Sequence, residues 1–84
     1  MMRVFVKAGC PWCVDAVNYL NQEGYVFKEI DVLQDESAFE EMVSLSGQSL
    51  APTLEVNGLV LPDFGVPELT VFLDEHSITP EMTQ

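Results

Sequence analysis

The stretch Arg3-Val4-Phe5-Val6-Lys7-Ala8-Gly9-Cys10-Pro11-Trp12-Cys13 contains the signals for the first strand, the turn after it and the start of the first helix. Its first five residues form a short run with a β-branched and aromatic centre, and the Ala-Gly pair that follows is typical of a strand entering a turn. Pro11 then opens a helix, because proline is pre-shaped for the first helical position and has no amide to leave unpaired. Apolar residues recur every three to four positions up to about Glu23, and Gly24 stands where a left-handed C-terminal cap belongs. The sequence therefore predicts a strand, a turn and a helix, with Cys10 as the N-cap.

The rest of the chain predicts, in order, a strand, a helix, a β-hairpin and a closing helix, over residues 25–32, 35–47, 53–61 and 67 to about 75. The hairpin has the strongest signal, because both central positions of such a turn need positive φ and Asn57-Gly58 supplies them. The tail Thr79 to Gln84 is expected to be frayed. A strand, helix and strand at this spacing imply a right-handed parallel crossover, and the hairpin adds an antiparallel edge. We expect an α/β fold with a four-stranded mixed sheet flanked by three helices, in the order βαβαββα.

Composition and charge narrow the classes of protein and partner. Eighty-four residues make one domain at most, 1–84, and a hydrophobic fraction of 48% is enough for an ordinary core. Three Lys+Arg against 14 Asp+Glu give a net charge of −11, which repels the phosphates of nucleic acids and anionic membranes. No apolar run approaches the roughly 20 residues of a membrane span, and the first residues resemble a strand rather than a signal peptide. We expect a cytoplasmic monomer, in a compartment where two cysteines are more often catalytic than a permanent disulfide.

Cys10 and Cys13 carry the chemistry that the sequence predicts. Two cysteines separated by two residues at a helix N-terminus are close enough to form a disulfide and to release it. The unpaired amides and the dipole at this end stabilise a thiolate on Cys10, which we predict to be the nucleophile. Cys13 lies one turn into the helix and is predicted to resolve mixed disulfides formed on Cys10. A pair with this spacing beside a βαβ pattern is a signature of thioredoxin-like redox proteins.

A metal site is the alternative use of the same cysteines. A closed zinc site needs four ligands, whereas one chain offers Cys10, Cys13 and a remote His76. Two chains could supply four thiolates, so a non-enzymatic dimeric module holding zinc or an iron-sulfur cluster stays open. Pro11 stiffens the loop between the cysteines and favours the dithiol. We therefore expect no bound metal and no bound cofactor.

The ordered set of motifs resembles the glutaredoxin family of the thioredoxin superfamily. The resemblance runs from Arg3 to about His76 and rests on residues 7–13, Ser46-Gly47-Gln48, Ala51-Pro52-Thr53 and the Asn57-Gly58 hairpin. It implies a thioredoxin-like fold and a thiol-disulfide oxidoreductase that reduces protein or glutathione mixed disulfides and serves cell redox homeostasis. It also implies glutathione as the electron donor.

The resemblance further implies a substrate-binding surface around the dithiol. Lys7 would lie beside the thiolate and contact glutathione, and a cation there also favours the thiolate on physical grounds. Trp12 stands where most members have tyrosine and keeps an aromatic wall beside the nucleophile. A cis peptide between Ala51 and Pro52 would face the dithiol, with the Ala51 backbone pairing to the substrate. The substrate-binding set is therefore Lys7, Pro11, Trp12, Ala51, Pro52 and Gly65.

The segment after the hairpin departs from the family pattern, and the departure bears on the electron donor. Glutathione-using members have two glycines there and, two positions on, an aspartate for the γ-glutamyl group. Here only Gly65 remains, the aspartate position falls on Pro67, and Glu68 lies beside it. Gln48 stands where many members have a basic residue, and the net charge of −11 works against an anionic tripeptide. A second interpretation is therefore a protein reduced by a thioredoxin reductase, similar to the small hydrogen donors of ribonucleotide reductase.

Overall fold

The computed structural model describes residues 1–84 and contains four strands and four helices. In chain order these are β1 (Met2–Val6), α1 (Pro11–Gln22), β2 (Phe27–Asp31), α2 (Glu36–Ser46), β3 (Thr53–Val56), β4 (Leu59–Pro62), α3 (Val66–Glu75) and α4 (Pro80–Thr83). The strands form one sheet in the order β2-β1-β3-β4. β1 is parallel to β2 and antiparallel to β3, and β4 pairs antiparallel with β3. The predicted four-stranded mixed sheet is confirmed.

The central strand β1 explains how the core is divided into two layers. Successive side chains of a strand point to opposite faces, and both faces of β1 are covered. Val4 belongs to the larger cluster, which includes Leu20 of α1 and Leu69 of α3, whereas Phe5 belongs to a smaller cluster with Met42 of α2. Helices α1 and α3 therefore lie on one face of the sheet and α2 on the other.

Local sequence signals fix the turns that separate these elements. Asn57 and Gly58 both have positive φ, 52° and 81°, as the hairpin prediction requires. α2 begins at its N-cap Asp35, whose carboxylate accepts hydrogen bonds from the Ser37 and Ala38 amides, and it ends at Gly47 in the left-handed region.

The helices were also compared with the requirements of a membrane span. None of them combines the length and the apolar character that a helix needs to cross a bilayer.

The C-terminal tail differs from the prediction, which gave three helices and a frayed end. Residues Pro80–Thr83 form the short helix α4, and Thr83 is buried. The Thr83 hydroxyl accepts a hydrogen bond from the Val26 amide at 2.9 Å, and the Tyr25 hydroxyl donates to the Ile78 carbonyl at 2.9 Å. The second strand accordingly begins at Phe27 rather than at Tyr25. The Tyr25 hydroxyl and the Val26 amide bond to the tail instead of to a neighbouring strand, while the Tyr25 amide donates to the Leu20 carbonyl. These two bonds order the tail.

Candidate dithiol site

The turn between β1 and α1 places Cys10 at the N-cap of α1. Gly9 has a φ of 80°, which allows the chain to reverse sharply before the helix, and the Cys10 amide donates to the Lys7 carbonyl at 3.3 Å. The Cys10 sulfur accepts a hydrogen bond from the Cys13 amide at 3.2 Å. At most helix starts a hydroxyl or carboxylate oxygen of the N-cap side chain accepts the hydrogen bond from an otherwise unpaired amide. Here the Cys10 sulfur takes the place of that oxygen. A thiolate on Cys10 would therefore accept a ready-made hydrogen bond.

Cys13 lies in a different environment from Cys10, although the two are one helical turn apart. Its residue surface is 3% exposed, whereas Cys10 is half-buried. Burial and the hydrogen bond with Cys10 raise the pKa of Cys13 to about 12, and the nearby Lys7 opposes this only in part. Cys13 is therefore held as a protonated thiol, inside the core and within reach of the Cys10 sulfur.

The Ala51–Pro52 peptide bond faces the dithiol and is cis, as predicted. The Cys10 thiol lies 3.9 Å from the Ala51 carbonyl oxygen and donates towards it. Pro52 itself is fully buried at the start of β3. The structure thus brings Ala51 and Pro52 to the nucleophile across more than forty residues of sequence.

A hydrogen-bond network around Gln48 holds the loop that carries this cis peptide. The Gln48 side-chain amide donates to Ser46 Oγ, the Leu50 carbonyl and Thr53 Oγ1 at 2.9–3.2 Å, and its carbonyl oxygen accepts from the Leu50 amide. Thr53 is fully buried, and its hydroxyl donates to Leu50 as well. The sequence analysis assigned Gln48 to the Ser46-Gly47-Gln48 motif and to a position where many members have a basic residue, but it predicted none of these hydrogen bonds. The hydrogen bonds of Gln48 are to residues two to five positions away in an irregular loop. Sequence periodicity predicts helices and strands and gives no indication of side-chain hydrogen bonds in such a loop.

Lys7 directly follows β1 and lies near the dithiol, and its ammonium group also bonds to the loop before the cis peptide. The Lys7 Nζ donates to the Ser49 carbonyl at 2.9 Å and lies 5.8 Å from the centre of the Phe39 ring. These contacts connect the end of β1 to α2 and to the loop before the cis peptide. Lys7 therefore fastens two walls of the site in addition to placing a positive charge near it.

Trp12 and Gly65 lie side by side at the mouth of the site. The Trp12 side chain is 64% exposed, as expected for an aromatic wall available to a substrate. A Cβ atom added to Gly65 would come within 3.5 Å of Trp12 Cδ1 and 3.1 Å of Glu68 Oε1, so the glycine permits a close approach of the two elements. Pro11 opens α1 directly before Trp12. The structure thus places Gly65 next to Trp12, which follows Cys10 and Pro11 at the start of α1.

The start of α3 is occupied by a side chain of its own helix. Glu68 Oε1 accepts a hydrogen bond from the Gly65 amide at 2.8 Å. Pro67, at the position where the resemblance expects an aspartate, has no amide hydrogen to offer. Of the first amides of α3, one is therefore already bonded and one is missing.

The metal alternative finds no ligand set within the chain. No group of three or more His, Cys, Asp or Glu side chains is arranged to hold a metal ion. His76 is the C-cap of α3, where its ring packs 4.8 Å from that of Phe72. A metal centre on Cys10 and Cys13 would therefore need ligands from a second molecule.

Comparison with known proteins agrees with this geometry. A glutaredoxin-like 8.6 kDa protein from the rubredoxin operon of Clostridium pasteurianum is 29% identical over 75 residues, which is 89% of this chain and 100% of that one. The N-acetyl-S-hydroxy-L-cysteine reductase of Bacillus subtilis is 28% identical over 78 residues, which is 88% of this chain and 84% of that one.

Solved structures show the same fold. The crystal structure of a thioredoxin-like protein superposes with a TM-score of 0.79 at 25% identity, over 87% of this chain and 100% of that one. A glutaredoxin from Archaeoglobus fulgidus gives 0.75 at 18% identity, over 86% and 84% of the two chains. The sequence model of the glutaredoxin family matches residues 3–61, well over half of the chain. With its N-cap cysteine, buried second cysteine and cis-proline loop, this chain belongs to the glutaredoxin family of thiol oxidoreductases.

Proposed function

We propose that this chain is a dithiol disulfide reductase in which Cys10 attacks the substrate and Cys13 resolves the intermediate. The observation that carries the proposal is the 3.2 Å hydrogen bond from the Cys13 amide to the Cys10 sulfur. It stabilises a thiolate on the accessible cysteine, while the second thiol stays protonated in the core until it is needed. The proposal places the protein in the cytoplasm, where thiols are kept reduced.

The reaction follows from the positions of the two sulfurs. The Cys10 thiolate attacks one sulfur of a substrate disulfide, forms a mixed disulfide and expels the other sulfur as a thiolate. Cys13 then loses its proton and attacks the Cys10 sulfur, which forms the Cys10–Cys13 disulfide and releases the second substrate thiolate. The substrate gains two electrons and the dithiol loses them. An external thiol or a thioredoxin reductase must return two electrons before the next cycle.

The electron donor of the proposal is a dithiol system rather than glutathione. In this chain Pro67 stands where the resemblance expects the aspartate for the γ-glutamyl group, and the neighbouring Glu68 carboxylate is already bonded to the Gly65 amide. The loss of one charge-assisted hydrogen bond costs on the order of 1.5–3 kcal/mol, which is roughly a ten- to hundredfold weakening. We expect glutathione-coupled activity to be present but low, and a thioredoxin reductase to be the better donor.

A coupled assay tests both parts of the proposal. The wild type is supplied with a peptide disulfide and reduced either by thioredoxin reductase or by glutathione with glutathione reductase, with NADPH consumption as the readout. We expect the glutathione-coupled rate to rise in Pro67→Asp, which restores a carboxylate for an ammonium group. Val71→Asp is the matched control, since Val71 is exposed one turn further along α3.

The two outcomes against the proposal are distinct. Failure to reduce the peptide disulfide with any donor, dithiothreitol included, would overturn the reductase assignment. A high glutathione-coupled rate with no gain in Pro67→Asp would leave the reductase in place but restore glutathione as the donor.

A second candidate function uses the same dithiol on a sulfenic acid. It is favoured by the similarity over most of both chains to the N-acetyl-S-hydroxy-L-cysteine reductase of Bacillus subtilis. Here the Cys10 thiolate would attack the sulfur of the S-hydroxy group, form a mixed disulfide and release hydroxide, and Cys13 would resolve it as before. Reduction of an S-hydroxy thiol much faster than of any disulfide would favour this candidate.

A further inference from the structure

Lys7 makes contacts on both sides of the dithiol site, one through its backbone and one through its side chain. Its carbonyl oxygen accepts a hydrogen bond from the Cys10 amide at 3.3 Å, so the lysine is tied to the turn that carries the nucleophile. Its ammonium group donates to the Ser49 carbonyl at 2.9 Å, in the loop that precedes the cis peptide. Two residues further on, the Ala51 carbonyl oxygen lies 3.9 Å from the Cys10 sulfur. These contacts form a closed ring, in which Lys7 connects the two segments that face each other at the nucleophile.

The side chain of Lys7 is held in this position by the helix behind it. Successive residues along β1 alternate between the two faces of the sheet, and Phe5 belongs to the cluster on the α2 face. Lys7 continues on that face, where its Nζ lies 5.8 Å from the centre of the Phe39 ring of α2. A cation at this distance is attracted to the face of an aromatic ring. The lysine therefore reaches the Ser49 carbonyl from a fixed position and not as a free surface chain.

The loop itself has few other attachments near Ser49. The Gln48 side chain accepts from the Leu50 amide and donates to the Leu50 carbonyl, and these bonds stay within the loop. Ser49 and Leu50 are both exposed, whereas the bond from Lys7 joins Ser49 to the body of the protein across 42 residues of sequence. Loss of this bond therefore frees the loop to move relative to Cys10.

From this ring of contacts we infer that Lys7 is a positioning residue, which holds the cis-proline loop at the distance from Cys10 that attack on a disulfide requires. The inference rests on the proposed disulfide reductase and names a residue for its first step. The ammonium group acts on another part of the protein, so its effect on the rate is the same for anionic, neutral and cationic disulfides. A lysine that bound a carboxylate of the substrate would instead speed the reaction of anionic disulfides alone.

The test follows the attack by Cys10 alone, in a Cys13→Ser background where the mixed disulfide accumulates. The substrates are three small disulfides of different charge, namely cationic cystamine, neutral hydroxyethyl disulfide and anionic dithiodipropionate. Lys7→Met removes the donor and keeps an unbranched side chain over the Phe39 ring. Samples are quenched with acid, and mass spectrometry gives the rate of mixed-disulfide formation at about 0.15 M salt, which screens long-range charge effects. We expect attack on each of the three disulfides to be about tenfold slower, since a small displacement of a positioning group has an effect of this order.

Two further variants in the same background are the controls. Lys28→Met removes the same charge from an exposed lysine of β2 and should change each rate by less than about twofold. Lys7→Arg keeps a cation that can donate to a carbonyl and lie over a ring, so it should restore each rate to within about threefold of the parent.

The pH dependence of the attack separates positioning from an effect on the ionisation of the nucleophile. A cation that only favoured the thiolate would lose its influence at high pH, where the thiol is ionised with or without the lysine. We expect Lys7→Met to remain about tenfold slower on the high-pH plateau of the rate, because the loop is displaced at every pH.

The outcomes separate this inference from the proposed function. A loss confined to dithiodipropionate would assign Lys7 to a substrate carboxylate, and recovery at high pH would assign it to the thiolate. Either result, rates equal to those of Lys28→Met, or no recovery in Lys7→Arg would overturn the inference and leave the reductase standing. If Lys7→Met does not fold, Lys7→Gln replaces it and is judged by the same comparisons. A parent protein that attacks none of the three disulfides would overturn both proposals.

Discussion

The N-termini of α1 and α3 meet at the same site, and they are capped in opposite ways. At α1 the cap is the sulfur of Cys10, which accepts from the Cys13 amide and stays half-exposed. At α3 the cap is the carboxylate of Glu68, which accepts from the Gly65 amide. The first arrangement prepares a nucleophile, because the group that satisfies the helix is also the group that reacts. In the second arrangement the capping group is a carboxylate that takes no part in thiol chemistry, so this helix start has a structural role only.

Substitution of either cysteine should have the largest effect, because it removes the chemistry at the start of α1 and leaves the start of α3 intact. Cys10→Ser should lose disulfide reductase activity by a factor on the order of 10³ or more, since the nucleophile is gone. Cys13→Ser should still attack but should accumulate the mixed disulfide on Cys10, since nothing internal resolves it. Intact-protein mass spectrometry of each variant with a peptide disulfide checks this. Retention of most of the activity by Cys10→Ser would refute the assignment.

Gln48→Ala tests whether the cis-proline loop beside Cys10 depends on the hydrogen bonds of the Gln48 side chain. The substitution removes hydrogen bonds worth about 0.5–1.5 kcal/mol each, so we expect the free energy of unfolding to fall by about 1–3 kcal/mol. Displacement of the cis-proline loop by a fraction of an ångström should also lower kcat/KM roughly tenfold. Denaturant unfolding and the peptide-disulfide assay measure the two effects. Gln34→Ala, at an exposed position after β2, is the control and should change neither quantity. If Gln48→Ala behaves like this control, the Gln48 hydrogen bonds contribute neither to stability nor to activity.

Substitution of Asp35 should have the smallest effect. Asp35 is the N-cap of α2, away from the cysteines, so its loss tests a helix cap that has no part in the chemistry. Its hydrogen bonds from Ser37 and from the Ala38 amide hold the pKa of this carboxyl below its ordinary value. A lowered pKa in the folded state means that the stabilisation is present above the unfolded value, near 3.8, and is lost as the pH falls through the folded value. Asp35→Ala should lower the Tm by roughly 2–5 °C at pH 7 and leave reductase activity unchanged.

The pH dependence completes that test. The difference in Tm between the wild type and Asp35→Ala should shrink below about pH 4, since the wild-type cap is then protonated as well. A constant difference from pH 7 to pH 3 would show that the ionised carboxylate contributes nothing to the cap.

The predictable part of this structure is the part determined by neighbouring residues. Pro11 at the first helical position, the Asn57-Gly58 turn and the order of the elements follow from local rules, and they place Cys10 at a helix start. The cis peptide before Pro52 came from the resemblance to the family rather than from a local rule. The fold and the position of the dithiol could therefore be predicted from the sequence together with that resemblance.

The features that escaped prediction depend on contacts between distant or irregular segments. The tail is ordered because Thr83 meets Val26 across 57 residues, and Lys7 bonds to Ser49 across 42. Glu68 is a different case, because a glutamate three residues after the N-cap is a known capping signal. A glycine at the N-cap, in place of the usual serine or threonine, concealed that signal at Gly65.

Alkylation of the reduced protein measures the unequal reactivity of the two cysteines. The protein is treated with a limiting amount of iodoacetamide at pH 7, quenched and mapped by peptide mass spectrometry. Burial raises the pKa of Cys13 far above pH 7, so this thiol stays protonated at that pH, and its sulfur is buried as well. We expect label on Cys10 alone, with Cys13 labelled only after unfolding or in strong alkali. Label that appears on Cys13 first, or on both at equal rates, would contradict it.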